Sequence, residues 1–145
     1  MKKYFLMLIF SLATVLLANN ILLSQEKYIV SGSVQSSGPN TIILCLYDQN
    51  TWPISRKELA PAPFTIISKA DEFGKINFTF KQVPKGDYII KAFVDKNDNK
   101  KADVDGWGFP VEPVTHYKPT NELLNWNDQK FTVDKDINDI FIQFK

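Results

Sequence analysis

The sequence predicts an all-β protein folded as a single antiparallel β-sandwich with one long loop. Three observations predict this class. Apolar and polar residues alternate with a period of two in several segments, turn-forming residues separate those segments, and nothing after the first 25 residues sustains a helical period. The alternation is clearest where Ile76, Phe78 and Phe80 are interleaved with polar residues, as in a strand with one buried face.

Similar segments divide the rest of the chain into six predicted strands. In chain order they cover residues 28–34, 42–47, 64–67, 76–80, 88–94 and 140–144. The turns at 36–40, 71–74 and 84–87 contain Gly, Pro, Asn or Asp, which tolerate or preset the backbone angles of a tight reversal. Six to seven short strands with polar turns indicate an immunoglobulin-like or transthyretin-like sandwich.

The N-terminal residues 1–25 are predicted to be a signal peptide, followed by a β-sandwich domain at 26–145. A basic start precedes a nearly continuous apolar run over residues 4–17, and the chain turns polar after Gln25. Asn19 and its neighbour interrupt the apolar run, so an uncleaved membrane anchor is the less favoured alternative. We expect a secreted or periplasmic bacterial protein without stable membrane insertion after cleavage.

Charge and the scarcity of reactive side chains exclude several functions. Lys2 and Lys3 belong to the signal peptide, which leaves 15 basic against 16 acidic residues and no electrostatic basis for nucleic-acid binding. Cys45, the only cysteine, lies in an apolar segment and is predicted to be an inert small hydrophobe. His116, the only histidine, is predicted to be a polar surface residue. We therefore predict no enzyme, no catalytic residues and no organic cofactor.

The interval 96–129 is longer than structureless connections usually are, so function is expected there. The segment beginning at Asp95 has oxygen-bearing side chains at relative positions 1, 3, 5 and 9, the spacing of a calcium-binding loop, in which position 7 contributes a carbonyl. The predicted metal ligands are Asp95, Asn97, Asn99, the carbonyl of Lys101, and Asp103. Lys100 stands where such a loop prefers glycine, and Asp105 or Glu112 would have to supply the final carboxylate.

Two interpretations of this segment stay open. Asp and Asn also form turns by hydrogen-bonding the nearby backbone, which needs no metal. If calcium binds, it is expected to be structural and weak, with a dissociation constant on the order of 0.1–1 mM, because three lysines offset three aspartates.

The same interval is rich in aromatic residues. The candidate ligand surface consists of Trp107, Phe109, Tyr117 and Trp126. Flat apolar rings of this kind can bind a sugar or a peptide. The favoured alternative is that they fold over an open end of the sandwich, because a small domain needs its large apolar side chains for the core.

The run Lys85-Gly86-Asp87-Tyr88 to Asp103, followed by Gly108-Phe109-Pro110-Val111-Glu112, resembles a domain-of-unknown-function family of small secreted bacterial β-sandwich proteins. Its members typically read G-x-Y-A, then H-D-x-N-x-N-G-K-x-D, then G-x-P-x-E. This chain departs from that pattern at Ile89, Val94 and Lys100. The resemblance covers residues 26–145 and implies the fold and the compartment, without an activity.

These observations predict an exported, non-enzymatic binding or interaction module with a possible calcium-stabilised loop and a protein or glycan partner. One alternative is an accessory carbohydrate-binding module that uses the four loop aromatics. Another is a small outer-membrane barrel, suggested by Phe141 and Phe144 near the C-terminus, which would need at least about eight strands.

Overall fold

A computed structural model describes residues 25–52, 62–101, 103–107, 109–119 and 125–144. The elements are β1 Lys27–Gln35, β2 Thr41–Asp48, β3 Phe64–Lys69, β4 Lys75–Pro84, β5 Gly86–Asp95, β6 Val114–His116, α1 Trp126–Gln129, β7 Phe131–Val133 and β8 Ile137–Gln143. The predicted signal peptide lies outside the described residues apart from Gln25.

The strands form two sheets. A three-stranded sheet has the order β4-β1-β8, and a five-stranded sheet has the order β3-β2-β5-β6, with β7 also paired to β5. The strand pairs are antiparallel except for β1 and β8, which run parallel. The prediction of an all-β sandwich is confirmed. The parallel pairing of β1 with β8 was not predicted, because the alternation of apolar and polar residues along one strand does not show the direction of its neighbour.

The described part of the chain contains eight strands, more than the six to seven predicted. The two three-residue strands, β6 and β7, are too short to show a period of two. β6 and the short helix α1 divide the interval that the sequence predicted to be one long loop. Asn125 begins α1 by accepting a hydrogen bond from the Asn127 N–H at 3.0 Å. None of the described residues belongs to a helix with the length and apolar character needed to span a membrane.

The main core lies between the two sheets and is built by the inward residues of the alternating strands. The three-stranded sheet contributes Val30, Val34, Ile76, Phe78, Phe80, Ile140 and Ile142, and the five-stranded sheet contributes Ile42, Leu44, Leu46, Ile90, Ala92 and Val94. Burying a large aliphatic or aromatic side chain of this kind stabilises the fold by about 1.5–3 kcal/mol. The outward residues of the three-stranded sheet are left at the surface.

A second apolar cluster lies on the outer face of the five-stranded sheet. It joins Ile43, Cys45, Tyr47 and Phe93, and Trp52 packs against it. Cys45 is buried there, and burial raises the pKa of its thiol, as expected of an unreactive cysteine. The five-stranded sheet is therefore partly covered on both faces.

Candidate functional site

The loop that follows β5 curls over the last residue of that strand. Asp95 is buried, and its carboxylate accepts hydrogen bonds from the N–H of Asn99 at 3.2 Å and of Lys100 at 2.7 Å. Lys100 has a φ of 61°, in the left-handed region that favours glycine, and Asp98 has a φ of 58°. A lysine thus makes the turn for which a calcium loop prefers glycine.

The side chains of three predicted metal ligands meet at one point. Asn97 Nδ2 donates to Asp103 Oδ2 at 2.6 Å, and Asn99 Nδ2 donates to both carboxylate oxygens of Asp103 at 3.0 and 2.9 Å. The amide oxygens face the backbone instead, because Asn97 Oδ1 accepts from the Asn99 N–H at 3.1 Å and Asn99 Oδ1 accepts from the Lys101 N–H at 2.8 Å. Asn97 and Asn99 therefore close the loop by donating hydrogen bonds to the carboxylate of Asp103.

This arrangement limits how a cation would fit. In the described ranges, no three or more His, Cys, Asp or Glu side chains lie close enough together to hold a metal ion. Asp103 is the carboxylate at the point of convergence, and Asn97 and Asn99 present N–H groups to it. A hard cation needs six to eight oxygens, so binding would require both amides to turn their oxygens inward and water to complete the shell.

Glu112 and Asp105 organise the backbone around this loop. Glu112 is buried, and its carboxylate accepts from the N–H of Lys96 at 2.8 Å and from the N–H of Asp103 at 3.3 Å. Glu112 therefore ties the two ends of the loop together. Asp105 Oδ1 accepts from the N–H groups two and four residues later, both at 2.9 Å. The sequence identified both residues as possible cation ligands but missed these backbone contacts.

The chain after Asp103 forms a narrow hairpin, which we call the finger and define as residues 103–107 and 109–111. The Asp105 N–H donates to the carbonyl of Phe109 at 2.8 Å, and the Val111 N–H donates to the carbonyl of Asp103 at 3.0 Å. Together with the Asp105 side chain, these bonds join the two sides of the finger.

The finger carries three apolar side chains that are each more than half exposed. Trp107 is 83% exposed, Phe109 52% and Val111 59%. Monomeric proteins expose single apolar residues routinely, but three within five positions of a fixed hairpin form a patch.

The other two aromatic residues of the predicted ligand surface belong to the body of the sandwich. Tyr117 packs against the main core, where its ring contacts Phe131 edge-on at a centroid distance of 5.4 Å. Trp126 is partly buried, and its ring lies 6.3 Å from that of Trp52. The prediction that the loop aromatics fold over the sandwich fits Tyr117 and Trp126. Trp107 and Phe109 are instead more than half exposed.

His116 differs from its prediction as a polar surface residue. Its Nε2 atom is closed off from solvent and has no hydrogen-bond partner among the residues that the structure describes, and its ring lies 6.0 Å from that of Trp52. Burial, and to a smaller extent the positive charge of Lys91, lowers the pKa of His116 to about 4. The imidazole is therefore neutral at neutral pH.

The fold and this site define a small β-sandwich protein with a tied loop and a projecting apolar finger. The chain belongs to the family described as an uncharacterised protein conserved in bacteria (DUF2141), which matches residues 30–140. The match spans most of the sandwich, the loop and the finger, and it confirms the family expected from the sequence. No curated protein and no solved structure matches the chain.

Proposed function

We propose that this protein is an exported, non-enzymatic interaction module that binds a partner protein through the finger. One observation carries the proposal: Trp107, Phe109 and Val111 are each more than half exposed on a hairpin whose two sides are joined by backbone hydrogen bonds. Export is supported by the signal-peptide pattern at the N-terminus.

A protein surface suits the finger better than a sugar does. The three exposed side chains offer a large apolar area and only one polar group, the indole N–H of Trp107. The hydroxyl groups of a sugar would find few partners there, whereas an apolar pocket of a protein would bury the rings. Trp is also prominent among the residues that dominate protein interfaces.

The hydrogen bonds within the finger support binding because they reduce its entropic cost. Ordering a flexible side chain at an interface costs about 0.5–1.5 kcal/mol, and ordering a loop adds to this. Asp105 and Glu112 already hold the backbone of the finger and its base in one arrangement. The partner would therefore meet a surface that needs little rearrangement.

Site-specific photo-crosslinking in the source bacterium tests this proposal. A photoreactive phenylalanine analogue replaces Trp107, and the same analogue at Phe73 is the matched control, since Phe73 is 74% exposed in the turn between β3 and β4. We expect one discrete protein adduct at position 107 that purified wild-type protein competes away and the double variant Trp107→Ala, Phe109→Ala does not. Equal adducts at both positions, or equal competition by the double variant, would contradict the proposal.

We further propose that the loop at 95–103 takes up a structural calcium ion. The convergence of Asn97, Asn99 and Asp103 on one point supports this, as does the left-handed turn at Lys100. Bound calcium would supply charge compensation for Asp103 and hold the base of the finger. The carbonyl of Lys101 and water would complete its shell.

A thermal-unfolding titration tests the calcium proposal, with magnesium as the control ion. At 10 mM calcium, a dissociation constant of about 0.1–1 mM would stabilise the protein by about 1.4–2.7 kcal/mol. We expect this stabilisation to be lost in Asp103→Ala and to increase in Lys100→Gly, which removes a positive charge and suits the backbone angle. A melting temperature that does not respond to calcium, or that responds equally in Asp103→Ala, would refute it.

A further inference from the structure

We propose that the outer face of the three-stranded sheet, called the open face below, binds a neutral oligosaccharide. β1 is the middle strand of this sheet, and it presents Ser31 and Ser33 outward while Val30 and Val34 are buried in the core. This site is separate from the finger, so the inference does not depend on the function proposed for the finger.

The strand register places the outward side chains of the open face in two rows. One row runs across the sheet from Asn77 through Ser33 to Phe141. The other runs from Thr79 to Ser31 and then meets a bulge in β8. The middle positions of both rows are therefore serines, which are smaller than the residues on either side.

The bulge in β8 adds polar groups to the second row. Val30 pairs with Ile137 and Gly32 with Ile140, so two residues of β8, Asn138 and Asp139, lie opposite Ser31 alone. Both of these β8 residues are exposed. A regular strand would have turned one of them toward the core.

These side chains surround a shallow groove of about 440 Å³ along β1. The small serines form its floor, with Asn77 and Thr79 on the β4 side and Phe141 on the β8 side. Small-molecule sites usually occupy about 300–1,000 Å³, so the groove is large enough for a small oligosaccharide.

The lining of the groove retains unused hydrogen-bonding capacity. In the part of the chain that the structure describes, the only side-chain hydrogen bond within this lining joins Ser31 Oγ to Asn138 Oδ1 at 3.2 Å. Ser33, Asn77 and Thr79 are thus able to donate to and accept from a ligand, and Asp139 is able to accept. Sugar hydroxyl groups also donate and accept, so they match this set.

Phe141 supplies the apolar contact that a sugar needs. It is 56% exposed at the side of the groove, between polar neighbours. The face of an aromatic ring carries partial negative charge and attracts the C–H groups on one face of a sugar ring. A single ring among polar groups suits a ligand that is polar at its edges and apolar on its face.

The charges of the groove favour a neutral ligand. Among the residues that the structure describes, its lining contains one carboxylate, Asp139, and no lysine or arginine. Lys75 and Lys81 lie on the same face of β4 but outside this lining. An anionic ligand seated in the groove, such as a phosphate or a uronic acid, would be repelled by Asp139. A mostly apolar protein partner would leave the polar groups of the groove without hydrogen bonds.

An array of neutral hexose oligosaccharides, with charged glycans and an oligolysine peptide as comparison probes, tests the proposal on the purified protein. The strongest neutral probe is then titrated calorimetrically. We expect about tenfold weaker binding by Phe141→Ala and by Asn77→Ala, equivalent to about 1.4 kcal/mol each. Both side chains are on the surface, so the melting temperature of the variants should change little.

Phe73→Ala is the matched control, because it removes an equally exposed phenylalanine outside the groove. Trp107→Ala separates the two proposals, since it should abolish crosslinking at the finger and leave sugar binding unchanged. The inference is overturned if no neutral oligosaccharide binds, if charged probes bind better, or if Phe141→Ala and Asn77→Ala bind as tightly as wild type. It is also overturned if Trp107→Ala alone loses binding.

Discussion

Lowering the pH from 7 to 4 is expected to destabilise this protein through His116. The side chain lies at the end of β6, opposite Lys91 in the strand register. Its Nε2 is closed off from solvent and has no hydrogen-bond partner within the described ranges. A proton added to the imidazole would place a charge in an apolar setting near another positive charge. The folded protein therefore resists protonation at this site, and the unfolded chain does not.

The pKa of His116 gives the size and the sign of this effect. Burial and the nearby charge of Lys91 together lower it from 6.5 to about 4 in the folded protein, with burial the larger cause. Because the folded pKa is the lower one, the stabilisation is fully present above pH 6.5 and is lost as the pH falls from 6.5 to 4. A difference of about 2.5 pKa units corresponds to about 3 kcal/mol, a large part of the 5–15 kcal/mol that stabilises a typical domain.

Urea unfolding of the wild type and of His116→Phe, followed by circular dichroism between pH 7.5 and 4, measures this effect. Carboxylates contribute similarly in both proteins, so the difference between their unfolding free energies should change by about 3 kcal/mol over this range. Because the chain has one histidine, proton NMR of its ring also reports the pKa without ambiguity. Parallel stability curves for the two proteins, or an imidazole pKa of 6 or more, would refute the reasoning.

Two further perturbations test how the loop and the three-stranded sheet are held. Glu112→Ala removes a buried carboxylate from two backbone N–H groups, those of Lys96 and Asp103. We expect the unfolding free energy to fall by about 3 kcal/mol and hydrogen exchange of both amides to become faster. Unchanged exchange at these two amides would contradict this role of Glu112. Gly32→Ala would drive a Cβ into the backbone oxygen of Ile140 in the neighbouring strand, so denaturant unfolding should show a loss of at least about 2 kcal/mol. Gly38→Ala is its control, because a Cβ there meets nothing closer than 4.0 Å, and equal losses in the two variants would show that the close approach is unimportant.

The sandwich could be predicted because its determinants are local. The alternation of Ile76, Phe78 and Phe80 with polar residues reports one buried face directly, and the same three residues lie in the core. The parallel pairing of β1 with β8 could not be predicted in this way, since pairing depends on contacts between distant residues. β6 and β7 were missed because three residues cannot display a period.

The candidate site could be predicted only in part. The spacing of Asn97, Asn99 and Asp103 indicated that they converge, and their side chains do meet. The spacing could not indicate whether amide oxygens or amide N–H groups face the carboxylate, because that depends on which backbone groups compete for them. The role of Glu112 arises from a fold that brings it back to Lys96, sixteen residues earlier.

β1 lies between two strands that come later in the chain, and this order affects how the protein can fold during export. One neighbour of β1 follows after two intervening strands, and the other is the last strand, so that Ser31 and Asn138 meet across a separation of 107 residues. Contacts between such distant segments form late, because a long loop must close first. A chain exported from its N-terminal end, as we propose, would keep one side of β1 without its partner strand until β8 had crossed the membrane. Until then, that edge of β1 would need protection from other chains.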